Sequence, residues 1–563
     1  MADLRIQYMD EMVGAGHPAK ADTLNRLMLS EHGINGAHKW FDVTHPDFGA
    51  KGDGVTDDTS AIQAAFDAVA ATGGIRTVYF PSGAYIITGV ININKNNLSV
   101  RGEGESSIIK VQDNTGDLRP GGYGAMFLIA AGSSHITVRN LQFDGNADNN
   151  TTSTYSGISG INTDHLTVRD TLIKNTPFNG ILLSATTLPH TNFKITGNSL
   201  SNIGWRGIQV AYGDTGIVSG NNIFSSGNHG IAVTFGTTRG AHSSRRVVVT
   251  NNVINRSIPP STILTGQVES GMMIVIGQAS LYVVVDSNVC YDNRNAADDG
   301  IATGGEPGAT GPFYHSIVIS NNSVTYAGGF GIDATSHCVV IGNVIQYAAT
   351  HGIVVTGDLG PMRKNVLITD NLIYNPNFSN ASGTGGIVVR DAVDNGATWK
   401  RIRILNNTVF DEGGRVHYGV FLNAKRMSLS NVDISGNDLS QVLTESVHIE
   451  FSNPPTHTIT DLRVRNNVEK NLFRPIAVGD TTPSVLGGEY FFTNNSAPTT
   501  ITMFDNGYIG QRIFVRIGDS NTTVDFTGTN LKGNGGVDYV AAIGSTLDCV
   551  FTGTQWGCTV NKA

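Results

Sequence analysis

A two-part phrase recurs along this chain and constrains its fold more than any other feature. The first half is an aliphatic residue followed three positions later by asparagine: Ile195-Thr196-Gly197-Asn198, Val218-Ser219-Gly220-Asn221, Ile319-Ser320-Asn321-Asn322 and Ile434-Ser435-Gly436-Asn437. The second half opens on glycine: Gly207-Ile208-Gln209-Val210, Gly230-Ile231-Ala232-Val233, Gly352-Ile353-Val354-Val355 and Gly386-Ile387-Val388-Val389. A period of roughly 20 to 40 residues is too short to enclose a core, so each repeat must bury its aliphatic residues against its neighbours, which predicts a solenoid. Asparagine at a recurring turn position predicts side-chain amides stacked and hydrogen-bonded along the solenoid axis. Gly180, Gly207, Gly230, Gly271, Gly300, Gly331, Gly352, Gly386 and Gly419 each open such a strand, and Ser446 holds the place in a tenth.

With 68 glycines and only 15% charged residues, the 563-residue chain reads as one turn-rich β-body rather than several helical domains. A net charge of −9, without a basic cluster interleaved with aromatics, argues against nucleic-acid binding. No run of apolar residues is long enough for a membrane-spanning helix. The first residues, Met1-Ala2-Asp3-Leu4-Arg5-Ile6, lack the basic stretch and apolar core of a secretory signal. Four cysteines are too few for a disulfide scaffold. Cys290 and Cys338 sit in aliphatic strand patterns and read as buried thiols. Cys549 and Cys558 flank a Gly-Thr turn in a predicted hairpin, where pairing depends on the hairpin's geometry.

Residues 1–40 form a polar preamble with too few apolar residues for a core, a neck or attachment segment. The glycine-aspartate block Gly52-Asp53-Gly54-Val55-Thr56-Asp57-Asp58-Thr59 leads into a helix near 59–71, with Asp57, Asp58 and Thr59 as capping acceptors. Ile62, Ala65, Phe66 and Val69 give that helix one apolar stripe. A helix here covers the open edge at the end of a strand stack. The solenoid spans 41–480, and the long gap between Gly230 and Gly271 reads as an insertion looped over one face. From 481 to 563 the phrase gives way to strands between glycine-rich turns, a small antiparallel β-domain for trimerisation or carbohydrate binding.

The words Asp47-Phe48-Gly49-Ala50, Gly52-Asp53-Gly54-Val55-Thr56-Asp57-Asp58 and Val78-Tyr79-Phe80-Pro81-Ser82-Gly83 closely resemble the opening of the pectate-lyase-like superfamily. The resemblance implies an all-β fold, a right-handed parallel β-helix with an N-terminal capping helix. It speaks weakly to the reaction, because that superfamily includes hydrolases, lyases and epimerases. The stretch from Gly14 to Lys39 resembles the necks of phage and prophage tailspikes. The tail, with Ile509-Gly510-Gln511-Arg512-Ile513-Phe514-Val515 and Thr552-Gly553-Thr554-Gln555-Trp556, resembles their C-terminal domains. Such proteins are usually homotrimers that cut bacterial surface polysaccharide, which implies a virion-tail or extracellular location and tail attachment through the N-terminal segment.

A β-helix core is filled with aliphatics, so catalytic groups belong on an outer face. Alternation along the glycine-led strands places outward Leu182, Gln209, Ala232, Met273, Ala302, Asp333, Val354, Val388, Phe421 and His448. Two residues further on, the same face offers Thr234, Thr335, Arg390 and Glu450. Asp333 is the one carboxylate of the first column. Asp299, just before Gly300, lies one coil earlier and three residues upstream, about 11 Å away between Cα atoms from the spacing of parallel strands. Side chains leaning together would approach the carboxyl separation of about 6.5–9.5 Å in inverting glycosidases, one as general acid and one activating water. Asp298, Glu269 and Glu306 are nearby substitutes. The alternative for each is a turn-capping or solvated carboxylate.

A lyase or epimerase would instead need a cation facing a uronate and a base for its α-proton. Arg206, His229, His351, Arg390 and Tyr418 could supply them, although each also fits a surface or turn position. Gln209 shares the outward face, and Trp205, Tyr212, Phe330 and Tyr418 could stack on sugar rings. Linear ligand spacing reveals no metal cluster, and no cofactor is expected. Calcium held by scattered aspartates is left open. Hydrolytic depolymerisation by paired carboxylates leads, followed by elimination or epimerisation, and then by a non-catalytic polysaccharide-binding adhesin.

Overall fold

The computed structural model describes residues 40–563 apart from 70–75, 119–123, 151–152, 186, 235–242, 256–271, 278–279, 294–298, 305–315, 336, 358–361, 392–397, 451–456 and 471–472. The chain divides into two compact units, Met1–Glu269 and Ser270–Ala563. Each is built of coils that visit three parallel sheets in turn, the right-handed parallel β-helix expected from the repeat.

In the first unit a representative coil runs through Gly213–Ser219 in the first sheet, Asn222–Ser226 in the second and Ile231–Thr234 in the third. The ladders to the preceding coil are parallel and in register, with Ile195 opposite Val218, Leu200 opposite Ile223 and Ile208 opposite Ile231. All six side chains are fully buried, so the aliphatic periodicity of the sequence becomes three inward stacks. The helix Thr59–Ala68 buries Ile62, Ala65 and Phe66, with the Phe66 ring edge-on to Phe127. Asp58 stands at its N-cap without a side-chain capping bond. Its carboxylate accepts the N–H groups of Lys51 (2.6 Å) and Gly52 (3.0 Å), tying down the glycine-aspartate turn, while Asp57 accepts the Thr59 N–H (3.0 Å). The long gap between Gly230 and Gly271 contributes two further strands, Arg245–Thr250 and Val253–Asn255, and its remainder lies largely outside the described residues.

The second unit repeats the plan, with Ile301, Ile332, Ile353 and Ile387 in register along its third sheet and all fully buried. The asparagine of the phrase forms the expected ladder. Asn322, Asn343, Asn371, Asn407 and Asn437 each donate from Nδ2 to Oδ1 of the next at 2.9 Å. Each next Oδ1 also accepts the backbone N–H of the asparagine before it, as Asn343 does from Asn322 at 3.0 Å. In the first unit Asn198 donates to Asn221 and Asn221 to Asn252 in the same way. The residue before each ladder asparagine is left-handed, with φ of 65° at Gly197, 53° at Asn321, 56° at Asp370 and 70° at Gly436, which explains why glycine, asparagine or aspartate precedes it. Gly331 shows why glycine opens the third strand. A Cβ there would meet Ile345 Cγ2 at 2.3 Å and the Gly352 carbonyl at 2.7 Å.

Beyond the coils, Arg474–Asn561 forms a six-stranded and a three-stranded sheet. The expected antiparallel arrangement holds for Arg512–Arg516, Thr546–Phe551 and Trp556–Asn561 and for Thr522–Val524 with Tyr539–Val540, whereas the other pairs are parallel, so the sheets are mixed. Cys549 and Cys558 face each other across this hairpin and form a disulfide, with Cα atoms 4.0 Å apart. Cys290 and Cys338 are free and buried.

Candidate active site

The register of the second unit places its candidate residues on the outside of the third sheet. Asp333, in the strand Ile332–Thr335, lies opposite Ala302 in the preceding coil and Val354 in the next. Asp299 therefore sits three residues upstream in the neighbouring coil, at the strand entrance. Its Oδ1 accepts the Phe330 N–H at 2.7 Å, a bond from one coil to the next. The same entrance position works this way elsewhere. Asn179 Oδ1 accepts from Arg206 N–H (3.2 Å), and His351 Nδ1 accepts from Gly385 N–H (3.0 Å). One oxygen of Asp299 thus does have the capping role raised as the alternative.

The outward column is drier than an exposed sheet face. Val354, Val388 and Phe421 point away from the core yet are only 0%, 1% and 8% exposed, because Phe330 and Tyr418 pack over them. This apolar cover begins beside Asp333, whose Oδ1 is buried without a hydrogen-bond partner. Burial, and secondly the charge of Asp299, push the Asp333 carboxyl up to about 8, with Arg390 and the Thr356 hydroxyl opposing the shift. A buried carboxyl beside a hydrogen-bonded carboxylate is an arrangement for holding one proton at neutral pH.

Arg390 belongs to the strand Gly385–Asp391, opposite Thr356 in the preceding coil, and its Nε lies 3.5 Å from the Thr356 hydroxyl. Its guanidinium lies 5.0 Å over the Phe330 ring, and Phe330 stacks on His351 at 5.3 Å. His351 is pushed down to about 4, first by burial and then by Arg390, and its Nδ1 is already committed as an acceptor. It is therefore a neutral wall of the site with Nε2 carrying the proton. Tyr418 stacks on His448 at 4.0 Å and is raised, mainly by burial. Beside Arg390 opens a cavity of about 470 Å³ lined by Thr356, Arg390, Asp391, Asn423, Lys425 and Arg426. Lys425 pairs with Glu450 at 2.6 Å. A larger cavity of the same unit, about 900 Å³, is walled by Ile459, Leu462, Tyr508, Ile509 and Phe551, with Asp461 as its one carboxylate among the described residues. It lacks a carboxylate pair.

The structure thus gathers Asp299, Asp333, His351, Arg390 and Tyr418 on one face of the second unit. Arg206, Gln209, His229 and Trp205 belong to the first unit. There Arg206 bonds Asn228 through Nε (3.2 Å) and lies over Trp205, which stacks on Phe178. Asp298, Glu269 and Glu306 lie outside the described residues. One column position is corrected. Val275, not Met273, stands opposite Ala302, because the strand's pairing begins at Ile274 opposite Ile301 and Met273 is fully buried. Sequence reasoning passed over Thr356 and Asn423, although both continue the column of Thr335 and Arg390. Lys425 and Arg426 follow the strand in a turn and carry no periodic signal.

Residues 40–259 match the family model described as Rhamnogalacturonase A/epimerase, pectate lyase-like. Mannuronan C5-epimerase AlgE2 of Azotobacter vinelandii is 41% identical over 121 residues, 19% of this chain and 11% of that protein. Alginate lyase 7 of the same organism is 40% identical over 114 residues, 18% of this chain and 12% of that protein. The matches therefore span only about a tenth of these relatives' length. Among solved structures, the Azotobacter vinelandii Mannuronan C-5 epimerase AlgE4 A-module aligns with 74% of this chain and 99% of its own, at a TM-score of 0.50 and 20% identity. The shared coil makes this chain a right-handed parallel β-helix, and its residues 40–259 are similar to the pectate-lyase-like family.

Proposed function

We propose that this protein is a polysaccharide depolymerase whose reaction is glycosidic hydrolysis at the Asp333 face. The observation that carries this reading is the buried Asp333 carboxyl, its Oδ1 without a hydrogen-bond partner and its pKa raised by burial, beside the hydrogen-bonded Asp299 carboxylate. Asp333 donates its proton to the glycosidic oxygen as the C–O bond breaks. Asp299 takes a proton from the water that adds to the anomeric carbon, so one carboxyl loses a proton and the other gains one. Arg390 stays cationic over Phe330 and orients the sugar. No metal enters this scheme.

A second reading has its own support. Arg390, Lys425 and Arg426 line the cavity beside Asp333, a lining suited to a carboxylated sugar, and the related proteins are named for mannuronan and alginate. On such a substrate the same groups could serve elimination or epimerisation. Bacterial surface polysaccharide as substrate, a tailspike-like homotrimer and attachment through residues 1–40 complete the proposal, supported by the neck-like and tail-like sequences at the two ends.

The test is to incubate the protein with a panel of capsular and exopolysaccharides, following chain length, reducing ends and the ultraviolet absorbance of unsaturated ends. New reducing ends without unsaturation, lost in Asp333→Asn, are the expected result. Unsaturated ends would transfer the assignment to elimination. Binding without shortening across the panel would leave an adhesin. Light scattering on the full chain tests the trimer.

A further inference from the structure

The first unit carries a polar cluster of its own, built of residues other than those of the Asp333 face. At the entrance to the strands of the first sheet, successive coils place Asn97, His135, His165, Asn192 and Thr215 in one column, fixed by the pairing of the residues just before them. Every member is left-handed, with φ of 53°, 55°, 50°, 54° and 60°. Asparagine meets that backbone demand at Asn97 and Asn192, so the conformation does not itself call for imidazole. Two consecutive coils nevertheless carry histidine. Their rings lie face to face, 4.3 Å apart and within 8° of parallel.

Asp164 completes the group. Its Oδ2 accepts from His165 Nδ1 at 2.7 Å, and its Oδ1 accepts from the Thr191 hydroxyl and from Asn192 Nδ2. The backbone of this corner is equally fixed, with His135 N–H bonded to the Asp164 carbonyl (3.0 Å) and His165 N–H to the Thr191 carbonyl (2.9 Å). A carboxylate on Nδ1 selects the tautomer that leaves the Nε2 lone pair of His165 free, the arrangement that prepares a histidine for a metal. The His135 imidazole has no hydrogen-bond partner among the described residues. One ligand atom from each of the three residues lies within 4.8 Å of the others.

We propose that His135, His165 and Asp164 form a binding site for one divalent transition-metal ion. Imidazole nitrogens suit Zn²⁺, Ni²⁺ and Cu²⁺, whereas Ca²⁺ needs six to eight oxygen ligands and finds one carboxylate here. Zinc–nitrogen bonds of about 2.0–2.1 Å need donor atoms about 3.4 Å apart with the ion near both ring planes, so binding requires the two exposed rings to turn out of their parallel stack. Asp164 either orients His165 or turns an oxygen to the ion, and the remaining positions stay open to water or another ligand. The two histidines are 30 positions apart, one coil of the solenoid, so no linear ligand motif displays them.

The test is calorimetric titration of untagged, metal-free full-length protein with ZnCl₂, NiCl₂ and CaCl₂, together with electron paramagnetic resonance of the Cu²⁺ complex. Variants are His135→Asn, His165→Asn, the double variant and Asp164→Asn, the asparagines chosen because this column already accommodates them. One Zn²⁺ or Ni²⁺ equivalent is expected to weaken at least tenfold in each histidine variant and to vanish in the double, and Asp164→Asn should lose several-fold. The Cu²⁺ spectrum should fall from two nitrogen ligands to one in each single variant. CaCl₂ should give no histidine-dependent heat. Should His165→Asn fail to fold by circular dichroism, His135→Asn alone decides, because among the described residues the His135 imidazole makes no hydrogen bond. Zinc isotherms that superimpose on wild type in His135→Asn, or a two-nitrogen signal surviving in the double variant, would overturn the site.

Discussion

Replacing Asp333 by asparagine should stabilise the protein at neutral pH while abolishing turnover. In the unfolded chain the Asp333 carboxyl ionises near its ordinary value of 3.8, but in the folded protein it does so only near 8. Between those values the native state holds one more proton than the unfolded state, so stability falls as pH rises through that window. Each pH unit costs up to about 1.4 kcal/mol. Asp299 and Asp333 titrate together, so several kcal/mol at pH 7 is an upper scale. Asparagine keeps the shape, cannot ionise and removes the slope. Thermal unfolding of wild type and Asp333→Asn should nearly coincide at pH 4. The variant should then lead by a margin that grows to pH 8, about 2–4 °C for each kcal/mol in a cooperative unit of 150–250 residues. In parallel, the basic limb of wild-type activity should fall near pH 8, as the general acid loses its proton. Parallel wild-type and variant melting curves at all pH values would refute the burial argument, and activity in the variant would refute the assigned role.

Arg390→Gln should raise the Asp333 pKa further, because it removes the cation that favours the carboxylate. The basic limb of the pH profile should therefore move to higher pH, with kcat/KM on a carboxylated substrate falling roughly 10- to 100-fold if a charged hydrogen bond is lost. Asn343→Ala removes the acceptor for Asn322 N–H and Nδ2 and the donor to Ile319 and Asn371. With buried groups left unsatisfied at about 1–3 kcal/mol each, a loss of about 3 kcal/mol or more should appear in denaturant unfolding. Reducing the disulfide between Cys549 and Cys558, nine residues apart, should destabilise the C-terminal sheets by about 3 kcal/mol from loop closure, read as earlier proteolysis after Arg474.

The coil was legible because its signals are local and repeated. The aliphatic of the first half fixes an inward stack, the residue before asparagine takes the left-handed turn, and glycine permits close approach of the next coil. Register followed wherever the phrase was intact, as at Asp333 opposite Ala302. It failed at Met273, where no glycine-isoleucine pair marks the strand and pairing begins at Ile274. The apolar cover over Asp333 was harder to see. Val354, Val388 and Phe421 are outward by alternation, and only the packing of Phe330 and Tyr418 makes them dry. The mixed C-terminal sheets were also hidden, because alternation gives strands without their partners. His135 and His165 meet only through stacking.

The asparagine ladder also gives this molecule a chemical lifetime. Each rung must donate and accept at once, so aspartate, nearly the same shape, fails by losing the donor and placing charge in a buried column. Spontaneous hydrolysis of a single amide makes that exchange without any mutation. Asn343, Asn371, Asn407 and Asn437 are shielded from it, being at most 2% exposed. Asn467, which accepts from Asn437 and is partly exposed, ends the run. Ageing of the second unit should therefore begin at that last rung and work inward, one coil at a time.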